Sequence, residues 1–204
     1  MGKTIRTAPP PLTLAGTALF LDYDGTLVAI AATPEAASAD EEARALLAGL
    51  DRALAGGLAI VSGRPVGDID GFLAPLRLTV AGLHGLELRG RDGRHRTAVG
   101  AETALEPVRA AFAALAARHP GTLLEDKRLT MAFHYRGAPA AGAEAETLAA
   151  RLVAESGGDL QLLPGKMVVE LLPAGRDKGR AVEELRRRPE FAGRRPVFVG
   201  DDVT

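Results

Sequence analysis

Asp22 and Asp24 stand two residues apart at the end of the apolar run Leu19-Phe20-Leu21, and Gly25-Thr26-Leu27 follows at once. In an extended segment residues i and i+2 point the same way. Both carboxylates can therefore reach one point beyond the carboxyl end of a buried strand, where ligands bind in open α/β sheets. Such a pair suits metal-assisted phosphoryl transfer. Three further segments carry the polar types that this chemistry needs: Ser62-Gly63-Arg64, Asp177-Lys178 and Gly200-Asp201-Asp202. Asp22, Asp24 and Asp201 can supply oxygen ligands to Mg²⁺, which is usually held by one or two carboxylates, waters and a substrate phosphate. Ser62 can donate to a phosphate oxygen and Lys178 can neutralise its charge. A lysine at a helix start is unfavourable with the helix dipole unless an anion is present, and a phosphate would supply one. A lone acidic pair is often only a solvated loop; four such segments together weigh against that reading.

The basic residues sharpen the picture. Of 25, only four are lysines, and three of those, Lys127, Lys166 and Lys178, fall in segments singled out on other grounds. An ammonium is not interchangeable with a planar guanidinium, so these read as positions where a point charge is required. The formal net charge of −1 gives no electrostatic argument for nucleic acid or an anionic membrane as partner. The absence of cysteine excludes a disulfide framework and a thiolate metal site, and agrees with a reducing compartment. The stretch from Leu12 to Leu21 has the outline of a signal-peptide core but runs straight into Asp22 without a good cleavage site. No apolar run approaches the ~20 residues that span a bilayer. The expected location is the cytoplasm.

The elements that must position these residues are legible in outline. A tail, residues 1–17 with Pro9-Pro10-Pro11, enters a first strand over Ala18 to Asp22. A helix from about Asp40 carries Ala43, Leu46, Leu47, Leu50 and Leu54 at the spacing of an apolar stripe, and Gly56-Gly57 ends it. Strands follow at Leu58 to Val61 and near Leu78 to Ala81, with a short helix opened by Pro65 between them. Strand, helix, strand, helix, strand is the pattern of a parallel sheet with crossover helices. The middle of the chain differs. Helical patterns at about 101–118 and 141–156 are interleaved with paired strand candidates, Leu123 to Asp126, Leu129 to Arg136, Leu160 to Leu163 and Met167 to Leu172. In the second of these Leu129, Met131, Phe133 and Tyr135 alternate with Thr130, Ala132, His134 and Arg136, the period of a half-buried strand. In the last, Lys166, Val168 and Glu170 are expected to share a face. This α+β segment should have helices on one sheet face and a polar face left over. Beyond Pro173, Asp177 can cap a helix from Lys178, and Pro196 to Val199 is a final apolar strand.

The linked motifs resemble those of the haloacid dehalogenase phosphatase superfamily. The matches are Asp22-Tyr23-Asp24-Gly25-Thr26, Ser62-Gly63-Arg64, Lys178 and Gly200-Asp201-Asp202. Within it, Leu83-His84-Gly85-Leu86-Glu87, Glu125-Asp126-Lys127, His134-Tyr135-Arg136, Pro164 to Glu170 and Asp177-Lys178-Gly179 look like the trehalose-6-phosphate phosphatase family. The resemblance implies a Rossmann-like α/β core with a parallel sheet and an α+β cap inserted after the third core strand. The expected divisions are a tail at 1–17, core at 18–98 and 174–204, and cap at 99–173. It also implies that Asp22 is the nucleophile and forms an aspartyl-phosphate, while Asp24 acts as acid and then base. Asp22, the Asp24 carbonyl and Asp201 would hold Mg²⁺, with Asp202 nearby. Gly25, Thr26, Ser62, Gly63, Arg64 and Lys178 would surround the phosphate. Glu125, Lys127, Lys166 and Glu170 of the cap, with His134 and Arg136, would meet sugar hydroxyls or phosphate. His84 is either a structural histidine near the domain boundary or part of the site, and Glu87 goes with it; His95 and His119 read as exposed bystanders.

The implied activity is Mg²⁺-dependent hydrolysis of trehalose 6-phosphate, the last step of trehalose synthesis, with trehalose-6-phosphate synthase as a partner in the same pathway. The alternatives are a related sugar phosphatase or phosphomutase with a different cap, and a non-catalytic sugar-phosphate-binding module. The family's last motif normally continues past Thr204 with Asp-Glu and a further helix and strand. The chain stops short of these, which leaves completeness of the site open at that end.

Overall fold

The computed structural model describes residues 11, 13–29 and 39–201. Most of the expected tail and the expected ligand Asp202 lie outside them. The chain runs β1 (Thr17–Leu21), α1 (Glu41–Ala53), β2 (Leu58–Val61), α2 (Val66–Leu73), β3 (Thr79–Gly82), β4 (Glu87–Arg89) and β5 (His95–Thr97). It continues through α3 (Ala101–Ala104), α4 (Glu106–Arg118), β6 (Leu123–Asp126), β7 (Met131–His134), α5 (Gly142–Glu155), β8 (Leu160–Gly165), β9 (Val168–Pro173), α6 (Lys178–Leu185) and β10 (Arg195–Val199).

The first sheet has the order β10-β1-β2-β3-β4-β5. β10, β1, β2 and β3 are parallel. β1, β2 and β3 are buried at every residue, as strands covered on both faces must be. Asp40 caps α1 by accepting from the Ala43 amide at 2.8 Å. The apolar stripe of that helix is narrower than the spacing suggests. Leu47 and Leu54 are buried, but Leu46 is 57% exposed, because one residue is a turn of about 100° around the helix axis. β4 and β5 add an antiparallel edge after β3, so the chain reaches the second sheet only after this hairpin. At three residues each, with β5 exposed or half-buried, they are too short for alternation to register in the sequence.

The second sheet is antiparallel, in the order β6-β7-β9-β8. Residues directly paired across strands share a face. Met131, Phe133, Val169 and Leu171 turn toward α4 and α5, where they meet Val108, Phe112, Leu115, Ala145 and Ala149 in one buried cluster. The helical stretch before them breaks at Leu105, between α3 and α4, where Pro107 supplies no amide for a continuous hydrogen-bond ladder. The opposite face carries Glu125, Ala132, Glu170 and Leu163 in one paired row. That face is less polar than expected: Leu163 and Leu172 pack with Leu83, Leu86 and Ala101 of the first unit and its linker, and Leu129 joins them rather than Met131 and Phe133, because it lies in the turn before β7 and not in the strand.

Two expected strand faces need correction. Lys166 and Met167 form the two-residue turn between β8 and β9, so Lys166 does not share a strand face with Glu170; it is exposed at the hairpin tip. β7 ends at His134, and Arg136 is an exposed turn residue.

Candidate active site

β1 has α-linked neighbours on both sides, β2 reached through α1 and β10 returning from the far end of the chain. Its carboxyl end is thus the switch point of the sheet, where a crevice opens. Asp22 is the first residue beyond it. Its amide donates to the Val199 carbonyl at 2.9 Å, which fixes the loop against β10. Its Oδ1 accepts from the Tyr23 amide at 2.8 Å and its Oδ2 from Lys178 Nζ at 2.5 Å. Both side chains are buried, 4% and 7% exposed. Lys178 arrives as the first residue of α6 because Asp177 caps that helix, accepting from the Arg180 amide at 2.7 Å. An ammonium placed against both a carboxylate and a helix start suits a site that receives an anion.

Asp24 lies in the turn that follows, where the Leu27 and Val28 amides both donate to the Tyr23 carbonyl. Its two oxygens accept from Arg64 Nε and Nη2, each at 2.7 Å. The guanidinium lies 5.8 and 5.4 Å from the ring centres of Tyr23 and Phe72. Burial favours loss of the Arg64 proton, but the hydrogen bonds and charge of Asp24 outweigh it and leave Arg64 more firmly protonated than usual. Arg64, expected among the phosphate contacts, is thus engaged on Asp24. Ser62, the first residue beyond β2, is fully buried, and its hydroxyl accepts from the Arg64 amide at 3.1 Å. Thr26 Oγ1 is buried with no hydrogen-bond partner among the described residues.

Gly25 has φ +77° and faces the Asp201 carboxylate so closely that a Cβ would overlap it. Asp22, the Asp24 backbone and Asp201 thereby come to one loop cluster made only of oxygen donors. No three acidic or imidazole side chains form a cage among the described residues. A hard cation completed by carbonyl, waters and phosphate fits such a set.

The polar face of the second sheet is brought over the Ser62-Gly63-Arg64 loop. Lys127 Nζ lies 3.4 Å from the Gly63 carbonyl, 3.1 Å from Glu170 Oε1 and 3.8 Å from Glu125 Oε2. Glu125 Oε2 and His134 Nε2 are 2.9 Å apart. Burial raises the Glu170 pKa, but Lys127, His84 and Thr130 outweigh it and hold this carboxyl well below the usual range. For Glu125, burial is likewise outweighed, by the His134 hydrogen bond and the Lys127 charge. Lys166 and Arg136 stand apart from this cluster, at turns joined by the Tyr135 amide donating to the Met167 carbonyl. Glu87 accepts from the Val66 amide at 2.8 Å, at the start of α2. His84 lies between Gly63 and Glu170. His95 is exposed, and His119 pairs with Glu144. One participant was missed from the sequence: Thr130, whose buried hydroxyl donates to Glu170 Oε1 at 2.6 Å. Its place among the alternating residues of the polar face was the available signal.

The family model described as trehalose-phosphatase matches residues 20–204. The chain belongs to the trehalose-phosphatase family. It is an enzyme of that hydrolase family, with a haloacid dehalogenase-like fold. A protein of Sinorhizobium fredii, described as a probable trehalose-phosphate phosphatase, is 44% identical over 92% of this chain and 70% of its own length. The crystal structure of a trehalose-6-phosphate phosphatase related protein superposes with TM-score 0.74 at 26% identity, covering 91% of this chain and 78% of that one. A haloacid dehalogenase-like hydrolase of B. subtilis shares the fold, with TM-score 0.62 at 13% identity over 91% of this chain and 84% of its own. No helix among the described residues is long and apolar enough to cross a membrane.

Proposed function

We propose that the chain hydrolyses trehalose 6-phosphate to trehalose and phosphate, with Mg²⁺ bound and an aspartyl-phosphate on Asp22 as intermediate. The observation that carries this reading is the buried Asp22–Lys178 pair at the switch point of the sheet. A carboxylate is held there beside a cation that can turn to an incoming phosphate. An Asp22 carboxylate oxygen attacks phosphorus while the bond from phosphorus to the sugar oxygen breaks, and Asp24 gives that oxygen its proton. Asp24 then takes a proton from the water that attacks the aspartyl-phosphate, releasing phosphate and restoring Asp22. A covalent intermediate divides one hard displacement into two easier ones, and one residue can serve as acid and then base. Both Asp24 oxygens are occupied by Arg64, so the acid step requires that clamp to open.

Asp22, the Asp24 carbonyl and Asp201, with Asp202 nearby, would hold Mg²⁺, which when bound supplies positive charge against the phosphoryl oxygens. Ser62 and Lys178 orient the phosphate. Residues 99–173 act as the cap, and Glu125, Lys127 and Glu170 exchange their mutual contacts for sugar hydroxyls. Lys166 and Arg136 form the outer rim, and His134 holds Glu125 in place. The absence of cysteine supports a cytoplasmic setting, where trehalose-6-phosphate synthase would supply the substrate.

Phosphate release from trehalose 6-phosphate and from sucrose, mannose and glucose phosphates, with and without Mg²⁺, tests the reading. Preferred release from trehalose 6-phosphate, dependent on Mg²⁺ and abolished by Asp22→Asn, is the expected result. Full turnover by Asp22→Asn overturns the covalent mechanism, and equal release across the panel overturns the substrate.

A further inference from the structure

Leu83, His84 and Gly85 have φ of +48°, +56° and +89°, three consecutive residues in the left-handed region. Two of them are not glycine, and such backbone is costly, held only where its surroundings over-determine it. Here the surroundings are three separate parts of the site. The Leu83 amide donates to the Arg64 carbonyl and the His84 amide to the Ser62 carbonyl, both at 3.0 Å. The turn therefore braces both ends of the Ser62-Gly63-Arg64 loop. Gly85 packs on Ala181 of α6, the helix that delivers Lys178; a Cβ at Gly85 would lie 2.9 Å from the Ala181 Cβ. The His84 ring fills the space over Gly63, where a Cβ would lie 2.8 Å from His84 Nε2. That same nitrogen is buried, has no hydrogen-bond partner among the described residues, and lies 3.6 Å from Glu170 Oε2 on β9.

A buried ring nitrogen left just beyond hydrogen-bond length of a buried carboxylate is unfinished as a structural contact. A small approach of the second sheet toward the first would complete it. We infer that His84 is a positioning residue that couples the cap, through Glu170, to the loop that orients the phosphate. As Glu170 moves to engage the sugar, Nε2–H donates to its free oxygen, and the ring transmits the shift to Gly63 and the turn. Discrimination for a disaccharide phosphate thereby acts on the phosphate site itself. This inference rests on the reading that the polar sheet face holds the sugar.

The test compares His84→Gln, which keeps an N–H near the position of Nε2, with His84→Leu and the shorter His84→Asn, which do not. Steady-state rates are read on trehalose 6-phosphate and on p-nitrophenyl phosphate. Loss of one hydrogen bond to a charged group corresponds to a fall of about 10- to 100-fold. This fall is expected in kcat/KM for the sugar phosphate with Leu or Asn, partly in kcat, with a smaller fall on the aryl ester. Gln should stay within a few-fold of the wild type. In the His84→Leu/Glu170→Gln double variant the losses should not multiply, because both changes remove one interaction. Parallel losses on both substrates, a Gln variant as impaired as Leu and Asn, or multiplying losses would each overturn the coupling. Amide hydrogen exchange over residues 62–66 is read without ligand and with saturating trehalose plus inorganic phosphate. Ligand should slow this exchange in the wild type and much less in His84→Leu, and equal slowing in the two proteins refutes the coupling. A wild type that cleaves the aryl ester but not trehalose 6-phosphate refutes only that assignment.

Discussion

Lys178→Met should destabilise the protein strongly as well as disable it. The Nζ to Oδ2 distance is 2.5 Å and neither side chain is more than 7% exposed, so Met removes the ammonium that compensates the Asp22 charge in a poorly solvated place. Breaking a buried pair by removing one partner costs about 3–5 kcal/mol, against ~0–1 kcal/mol for an exposed pair. For a chain of this size each kcal/mol moves Tm by roughly 2–4 °C, so a fall of about 6–20 °C is expected. In metal-free buffer the Asp22→Asn/Lys178→Met double variant removes both charges and should recover part of the loss, since the penalty comes from a buried carboxylate deprived of the Lys178 charge. Urea unfolding of the wild type, both single variants and the double variant yields the four free energies of the cycle. Activity of Lys178→Met should fall by about 10²- to 10³-fold, as when one preorganised donor to a developing charge is lost. Single variants within ~1 kcal/mol of wild type that combine additively would refute the claim that this pair is buried and coupled.

Asp24→Asn should lower hydrolysis of the sugar phosphate by roughly 10²- to 10⁴-fold and hydrolysis of p-nitrophenyl phosphate less, because that leaving group needs no proton; equal losses would show that Asp24 is not the acid. Gly25→Ala places a methyl group against Asp201 at φ +77°, so the divalent ion concentration for half-maximal activity should rise; an unchanged metal titration would remove Asp201 from the metal site. Glu170 and Glu125 have depressed folded pKa values, so their stabilisation is complete above the ordinary carboxylate pKa of about 4.3 and disappears as the pH falls toward the lower folded values. Urea midpoints should therefore fall as the pH drops below about 4.5, less steeply in Glu170→Gln; identical pH slopes would refute this.

The sequence by itself determined the parallel core and the ends of its strands. Runs such as Leu58-Ala59-Ile60-Val61 leave no polar residue to expose, and Ser62-Gly63-Arg64 stops the strand at once. Asp177 before Lys178 fixed a helix start because a short carboxylate satisfies amides the helix cannot. Local chemistry of this kind also marked Asp22, Asp24, Ser62 and Lys178 as candidates. What each candidate touches was not local. Arg64 is clamped to Asp24 across 40 residues, Lys127 reaches Gly63 across 64, and Lys178 meets Asp22 across 156. No period or spacing encodes such pairings, since they arise only when separate strands are brought side by side. Glu87 and Glu170 illustrate the same division. Both are acidic residues of strands, yet one accepts from an amide at the start of a helix and the other faces Lys127, Thr130 and His84. Only the packing of the two sheets, through Leu83, Leu86, Leu129 and Leu172, decides which partners each carboxylate meets.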